Sequence, residues 1–211
     1  MTLSGVEAAL HPHGLAVLGG FHPEPDEIGA ARTLLMIGPD GARFWPVFSV
    51  SPEYFDGTPD ALDRWSLRVL ESAAEKLEAR ALFPFGGPPY HPFYGWAIRT
   101  GRFWPSPIRL LVHDTAGLMV SFRGALAIPA HLDLPETSVS PCDDCAMPCL
   151  SACPVDAFAM DEYDVPICKA HLMTRKGTNC MQGGCLARRA CPVGQGDIPA
   201  EQAALSMRAF I

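Results

Sequence analysis

The alternation of apolar and polar residues predicts a mixed α and β region before the first cysteine. Short apolar runs at 31–38, 80–85, 108–113 and 118–128 indicate buried strands, because each is brief and is bounded by turn-forming residues. The segment 44–50 is expected to form a strand that pairs with the first of these runs. The pattern therefore predicts an α/β or α+β fold.

A long amphipathic helix is predicted after residue 58. Thr58-Pro59-Asp60 offers an N-cap, a proline at the first helical position and an acid in the first turn. Apolar residues then recur every three or four positions up to about residue 78; they are Leu62, Trp65, Val69, Ala73 and Leu77. Such a stripe is typical of a core-facing helix, so we assign it a packing role. A second helix is expected at 199–210.

The distribution of cysteine divides the chain into two parts. All eight cysteines lie between Cys142 and Cys191, after a polar, proline-containing stretch at 129–141. We therefore expect an α/β domain at 1–135 and a cysteine-rich module at 136–211.

Charge and composition narrow the functional classes. The chain has 16 Lys and Arg against 23 Asp and Glu, a formal charge of −7, which makes nucleic acid an unlikely partner because such binding relies on clustered cations. Residues 1–21 lack the basic and apolar regions of a secretion signal, and no apolar run reaches the roughly 18 residues that span a bilayer. The sequence predicts a cytoplasmic protein that does not enter membranes, with reduced thiols available to bind metal.

The spacing of the cysteines is close to that of bacterial ferredoxins, with one extra residue between the second and third ligands. The first run contains Cys142, Cys145, Cys149 and Cys153, and the second contains Cys168, Cys180, Cys185 and Cys191. Each run ends in a Cys-Pro pair, as the run of a [4Fe-4S] ferredoxin does. The sequence therefore predicts two [4Fe-4S] clusters.

The pairing of the two runs follows from helix geometry. If 185–191 is helical, its two cysteines point about 120° apart, because six residues turn about 600°. They would then serve different clusters. This crossed assignment gives one cluster to Cys142, Cys145, Cys149 and Cys191, and the other to Cys153, Cys168, Cys180 and Cys185.

Three alternatives remain open at this point. In an uncrossed arrangement each run of four would hold its own cluster. Two four-cysteine zinc sites would use the same thiolates, although only Cys142 and Cys145 form the paired knuckle that is usual for structural zinc. Four disulfides would fit the even count but suit a secreted scaffold.

Several segments resemble the core of the epoxyqueuosine reductase family. They are the stretch 97–113, the segment 117–126 and the first cysteine run, and Cys168 matches the lone cysteine that opens that family's second cluster set. The resemblance implies a nitroreductase-like, cobalamin-binding domain followed by a ferredoxin-like module with two [4Fe-4S] clusters. The segment 90–99 is also similar to the cobalamin-processing protein defective in type C methylmalonic aciduria. Gly87 stands near the position of the family's proton-donating aspartate, so epoxide reduction is not carried over.

The corrinoid that the resemblance implies has four candidate contact residues. His91 and His113 are candidates for hydrogen-bond donors or a cobalt ligand, and Tyr94 and Trp104 for stacking on the macrocycle. Ordinary structural histidines and core aromatics are the alternative interpretation of the same residues.

The leading hypothesis is an iron-sulfur redox protein, an oxidoreductase if it acts on a substrate. Electrons from a donor protein would pass through the clusters, and from them to a bound corrinoid. One alternative is a ferredoxin-type electron carrier with no substrate pocket. Another is a cobalamin-handling protein with no catalytic activity.

Overall fold

The computed structural model describes residues 1–159 and 162–211 and divides them into two compact units. The first unit comprises Met1–Arg102 and Ser121–Ser138, and the second comprises Phe103–Val120 and Val139–Ile211. The expected division at 135/136 differs from this arrangement in two respects: the segment 103–120 belongs to the cysteine-containing unit, and the first unit extends to Ser138.

Helices and strands alternate irregularly along the described chain. The strands are β1 (Leu15–Phe21), β2 (Glu27–Ala30), β3 (Thr33–Pro39), β4 (Arg80–Leu82), β5 (Phe103–Pro105), β6 (Leu111–His113) and β7 (Gly124–Ile128). The α-helices are α1 (Leu3–Leu10), α2 (Phe44–Phe48), α3 (Pro52–Phe55), α4 (Ala61–Lys76), α5 (Phe93–Arg99), α6 (Val165–Leu172), α7 (Thr178–Gly183), α8 (Leu186–Arg189) and α9 (Ala200–Phe210). The prediction of a mixed α and β chain is thus confirmed.

The first unit contains a four-stranded antiparallel sheet with the order β1-β3-β7-β4. The two central strands are almost wholly buried, which explains why 31–38 and the end of 118–128 are continuous apolar runs. The run at 80–85 contributes the short strand β4. Because every pairing in the sheet is antiparallel, the unit is α+β and not a parallel α/β fold.

Helix α4 confirms the amphipathic prediction, with Trp65, Val69 and Ala73 buried on one face. Its beginning differs from the prediction: the helix starts at Ala61, and Asp60 before it adopts a left-handed backbone conformation. Thr58 is therefore not the N-cap.

The strand predicted at 44–50 is wrong, because this segment forms helix α2. Both edges of β3 are already paired, one with β1 and the other with β7, so no edge remains for a further partner. Helical spacing instead stacks Phe44 on Phe48, with ring centroids 5.6 Å apart, and both rings pack edge-on against Trp65.

The second unit contains the hairpin β5–β6 and the four helices α6 to α9. The strand predicted at 108–113 is present only at its end, as β6. The helix predicted at 199–210 is confirmed as α9, which buries Ala203, Ala204 and Met207. No helix in the described part of the chain is both long and apolar enough to cross a membrane.

Candidate metal centres

The eight cysteines surround two cavities in the second unit. The first cavity is lined by Cys142, Cys145, Cys149 and Cys191. The second cavity is lined by Cys153, Cys168, Cys180 and Cys185. Both cavities are narrow, and counted with their open mouths they enclose about 330 and 320 Å³ of space free of protein atoms. These are the two groups of the crossed assignment; that they bind clusters stays a prediction.

Local turns position the first group. Cys142 and Cys145 share a turn in which the Cys145 N–H donates to the Cys142 carbonyl at 3.3 Å. The Met147 N–H then donates to the Cys145 Sγ at 3.3 Å, and Cys149 is buried in a short 3₁₀ helix at Pro148–Leu150. Three cysteines of the first group thus come from one tight stretch of chain.

The fourth member, Cys191, reaches this group because two glycines permit a close approach of backbone segments. Gly117 has a φ of +57°, and a Cβ there would lie 2.1 Å from the Val193 carbonyl oxygen and 3.2 Å from the Cys191 Sγ. Gly194, at φ +64°, would place a Cβ 2.8 Å from the Ala116 carbonyl oxygen. Only glycine fits at these two positions.

The second group comes from four separate places in the chain. Cys153 accepts a hydrogen bond from the Ala157 N–H at 3.4 Å. Cys168 lies in α6, whose N-cap Asp164 accepts a hydrogen bond from the Ile167 N–H at 2.9 Å. Cys180 is buried in α7, and Cys185 is the N-cap residue of α8.

The short helix α8 lies between one cysteine of each group. It occupies only Leu186–Arg189, so Cys185 and Cys191 lie outside its helical residues and the expected helix over 185–191 is present only in part. Cys185 then lines the second cavity and Cys191 the first.

Burial raises the pKa of four of the eight thiols and so favours their neutral form when no positive group binds them. Burial raises the pKa of Cys142, and the neighbouring Cys145, Cys191 and Cys149 raise it further. Burial likewise raises the pKa of Cys168 and of Cys185. Ionisation of these thiols would therefore be favoured by a cationic occupant, which a metal ion or a metal cluster would supply.

Each cavity also has a buried polar atom with no hydrogen-bond partner among the described residues. In the first cavity it is the hydroxyl oxygen of Ser106, and in the second it is Nε2 of His171. Such atoms are costly unless an absent partner satisfies them. An anionic, sulfur-rich cluster would accept hydrogen bonds from both, so the residues present fit that group.

The sequence interpretation missed Ser106 and His171. His171 follows Cys168 by three residues in α6, so a search of the cysteine's helical face would have found it. Ser106 lies far from the cysteines in sequence, and nothing in its local pattern indicates where it lies in the second unit.

The described residues include no group of three or more His, Cys, Asp or Glu side chains close enough together to hold a single metal ion. A [4Fe-4S] cluster imposes a different requirement, since each of its four thiolates binds a different iron. The ligands must therefore surround a cage instead of a point, as the cysteines around these cavities do.

Two of the corrinoid candidates, His91 and Tyr94, lie in the first unit. Both are exposed, Tyr94 by 52%, and the His91 ring stacks on Trp96 with centroids 5.3 Å apart. Their positions at and just before the start of α5 leave them on the surface of that unit.

The other two candidates, Trp104 and His113, lie in the second unit. Trp104 packs against the core that includes Val112 and Cys149. His113 is buried, and its Nδ1 accepts N–H groups of Thr115 and Ala116 at 3.3 and 3.1 Å. The Asp114 carboxylate lies 3.2 Å from the same Nδ1, and a role for His113 at a corrinoid stays a prediction.

No family model, no curated protein and no solved structure matches this chain significantly.

Proposed function

We propose that this chain is a cytoplasmic iron-sulfur redox protein that transfers electrons through two [4Fe-4S] clusters. One cluster would be bound by Cys142, Cys145, Cys149 and Cys191, and the other by Cys153, Cys168, Cys180 and Cys185. The observation that carries the proposal is the division of all eight cysteines, four and four, between two cavities of one unit. When bound, the clusters supply one-electron chemistry.

The protein's own residues would bind the clusters, keep water away and donate hydrogen bonds. Val112, Leu118 and Val193 line the first cavity, and Phe158, Leu172 and Met207 line the second. Apolar walls of this kind exclude solvent, which is one of the factors that set the potential of a cluster.

Metal analysis of protein prepared without oxygen tests this function. About eight irons and about eight acid-labile sulfides per chain are expected, four of each for every cluster. About two zincs without iron would replace the proposal with two structural zinc sites, and oxidised thiols without any metal would replace it with disulfides.

Two versions of the proposal differ in the molecule that accepts the electrons. In the version that follows from the resemblance to epoxyqueuosine reductases, a nitroreductase-like first unit and a ferredoxin-like second unit pass electrons to a corrinoid, and the chain is an oxidoreductase. In the other version, the chain is a ferredoxin-type carrier between partner proteins. The burial of His113 and the packing of Trp104 against the second unit's core support the carrier, because both side chains already have partners within the protein.

Titration with cobalamin separates the two versions. A change in the cobalamin spectrum on addition of cluster-loaded protein, followed by its reduction, would support the oxidoreductase. Binding without reduction would indicate cobalamin handling. No binding to protein with intact clusters would leave the electron carrier.

A further inference from the structure

The second unit contains a third cavity, a cleft of about 520 Å³ beside α8. It shares Cys191 and Val193 with the lining of the first cysteine cavity and Leu186 with that of the second. A volume of this size is typical of sites that bind small organic molecules. The cleft therefore lies next to both groups of cysteines and has room for a ligand of its own.

One wall of the cleft contains a guanidinium that neutral groups hold in place. Arg188 lines the cleft, and its Nε and Nη2 donate to the carbonyls of Leu118 and Val120 at 2.7 and 3.2 Å. Met119, which lies between these two acceptors in the chain, also lines the cleft. Carbonyl oxygens fix the guanidinium but leave its charge without a counterion.

A second guanidinium lies at the same cleft and is held in a similar way. Nη1 of Arg189 donates to the side-chain oxygen of Asn179 at 2.8 Å. Gly183 lines the cleft and leaves space for this guanidinium, since a Cβ there would lie 2.9 Å from Nη1. In the part of the chain that the structure describes, neither Arg188 nor Arg189 forms an ion pair with a carboxylate.

The rest of the lining contains no carboxylate. As far as the chain is described, no Asp or Glu lines the cleft, and its other polar side chains are those of Gln195 and Cys191. Asp197 and Glu201, the acids of the adjoining segment, are exposed and are not part of the lining. The N-terminus of α9 reaches the cleft through Ala200, and no side chain caps it. Its free N–H groups add a partial positive charge to that of the two arginines.

We infer that this cleft is a binding site for a small organic anion. Its carboxylate or phosphate head group would be bound by Arg188 and Arg189, because a guanidinium fork pairs with both kinds of oxyanion. Its apolar body would lie against Leu186, Val193 and Ile198. The inference goes beyond the proposed function and holds for either of its two versions.

Isothermal titration calorimetry on the full, cluster-loaded chain without oxygen tests the inference with four probes. Benzoate and phenyl phosphate have the same apolar body and differ in the head group. Benzamide is the neutral counterpart of benzoate, and inorganic phosphate has no apolar body. We expect benzoate or phenyl phosphate to bind at least about tenfold more tightly than benzamide and inorganic phosphate. The tighter of the two identifies the head group.

Arg189→Gln removes one positive charge from the cleft, and the exposure of Arg189 makes the change compatible with folding. We expect the affinity for the tighter probe to fall by about tenfold or more, because a hydrogen bond to a charged group is lost. Arg175→Gln is the matched control, because Arg175 is an exposed cation of the same unit that does not line the cleft. Its affinity should equal that of the wild type.

Ala200→Trp tests the place of the apolar body without a change of charge. Ala200 is exposed and lines the cleft, so a large side chain there would occupy the space of the probe and abolish its binding. Undiminished binding in this variant would place the anion elsewhere and overturn the inference.

The inference and the proposed function fail in different ways. No binding of either aromatic anion to protein with full iron content would overturn the inference and leave the proposed function standing. Equal weakening by Arg189→Gln and Arg175→Gln would also overturn it, since net charge instead of a site would then attract the anion. Benzoate binding that depends on Arg189 in a chain without iron would overturn the proposed function and support the inference.

Discussion

The two cysteine cavities lie in one unit and have the same number of sulfurs, yet they are built in opposite ways. Three of the four cysteines at the first cavity come from a single stretch of eight residues, 142–149. The fourth, Cys191, lies beside them because two glycine-containing segments pack closely together. The second cavity draws its cysteines from Cys153, the helices α6 and α7, and the N-cap of α8.

Local turns and helix packing are thus two separate ways of bringing four cysteines together. The first cavity depends on backbone geometry around Gly117 and Gly194 and has a mostly apolar lining. The second depends on the packing of helices, and α6 among them brings His171 to its cysteines.

The largest difference is expected from a backbone change at the first cavity. Gly117→Ala would force a Cβ to within 2.1 Å of the Val193 carbonyl oxygen, so Cys191 cannot take its place. We expect the loss of about four irons with the second cluster retained, and a loss of more than about 2 kcal/mol in the free energy of unfolding. Iron analysis and denaturant unfolding measure both.

Gly196→Ala is the matched control for this variant. Gly196 also has a left-handed backbone, at φ +84°, but nothing lies within 4 Å of the position of its Cβ. Only backbone strain of about 1 kcal/mol is expected, with the full iron content. Equal iron loss in both variants would show that the close approach at Gly117 is not what positions Cys191.

A smaller effect is expected at Ser106, the unpartnered donor of the first cavity. Ser106→Ala removes one hydroxyl from the cavity wall, so the potential of the first cluster should fall while that of the second stays the same. One hydrogen bond of about 1 kcal/mol corresponds to about 40 mV for a one-electron couple. A shift in the second cluster instead would contradict the placement of Ser106.

The smallest effect is expected outside both cavities, in the first unit. Glu53 accepts two hydrogen bonds from Arg68, at 2.5 and 2.9 Å, and this interaction lowers the pKa of Glu53. A lowered pKa in the folded state stabilises the protein above the unfolded-state pKa, and that stabilisation is lost as the pH falls through the folded-state pKa.

Glu53→Gln should therefore lower the free energy of unfolding at neutral pH by at most about 1 kcal/mol, because Arg68 is half exposed. The difference between the wild type and the variant should vanish in acid. Unfolding curves at pH 7 and at pH 3 measure it, and both clusters should keep their potentials. A change in either potential would mean that the first unit influences the clusters.

Much of this organisation could be predicted from the sequence, because it depends on local spacing. The positions of α4 and α9 follow from apolar periodicity, and the grouping of cysteines around the two cavities coincides with the one expected from the six-residue interval between Cys185 and Cys191. Periods and intervals of this kind depend only on helix geometry.

The rest depends on contacts between distant residues. The local sequence of α2 predicts a strand. The structure excludes it, because β1 and β7 already pair with both edges of β3. The membership of Phe103–Val120 in the second unit, which places Ser106 at the first cavity, has no local signature either. Nothing in the local sequence around Arg188 predicts its hydrogen bonds to the carbonyls of Leu118 and Val120.

The central claim is that the cysteines bind two clusters in crossed sets, and iron counts in two double variants test it most directly. Cys153→Ala with Cys168→Ala removes two ligands of one crossed set, so about four irons per chain should remain. Cys149→Ala with Cys153→Ala removes one ligand from each crossed set, so almost no iron should remain. The reverse result, almost no iron in the first variant and about four irons in the second, would show that each run of four binds its own cluster and would contradict the account.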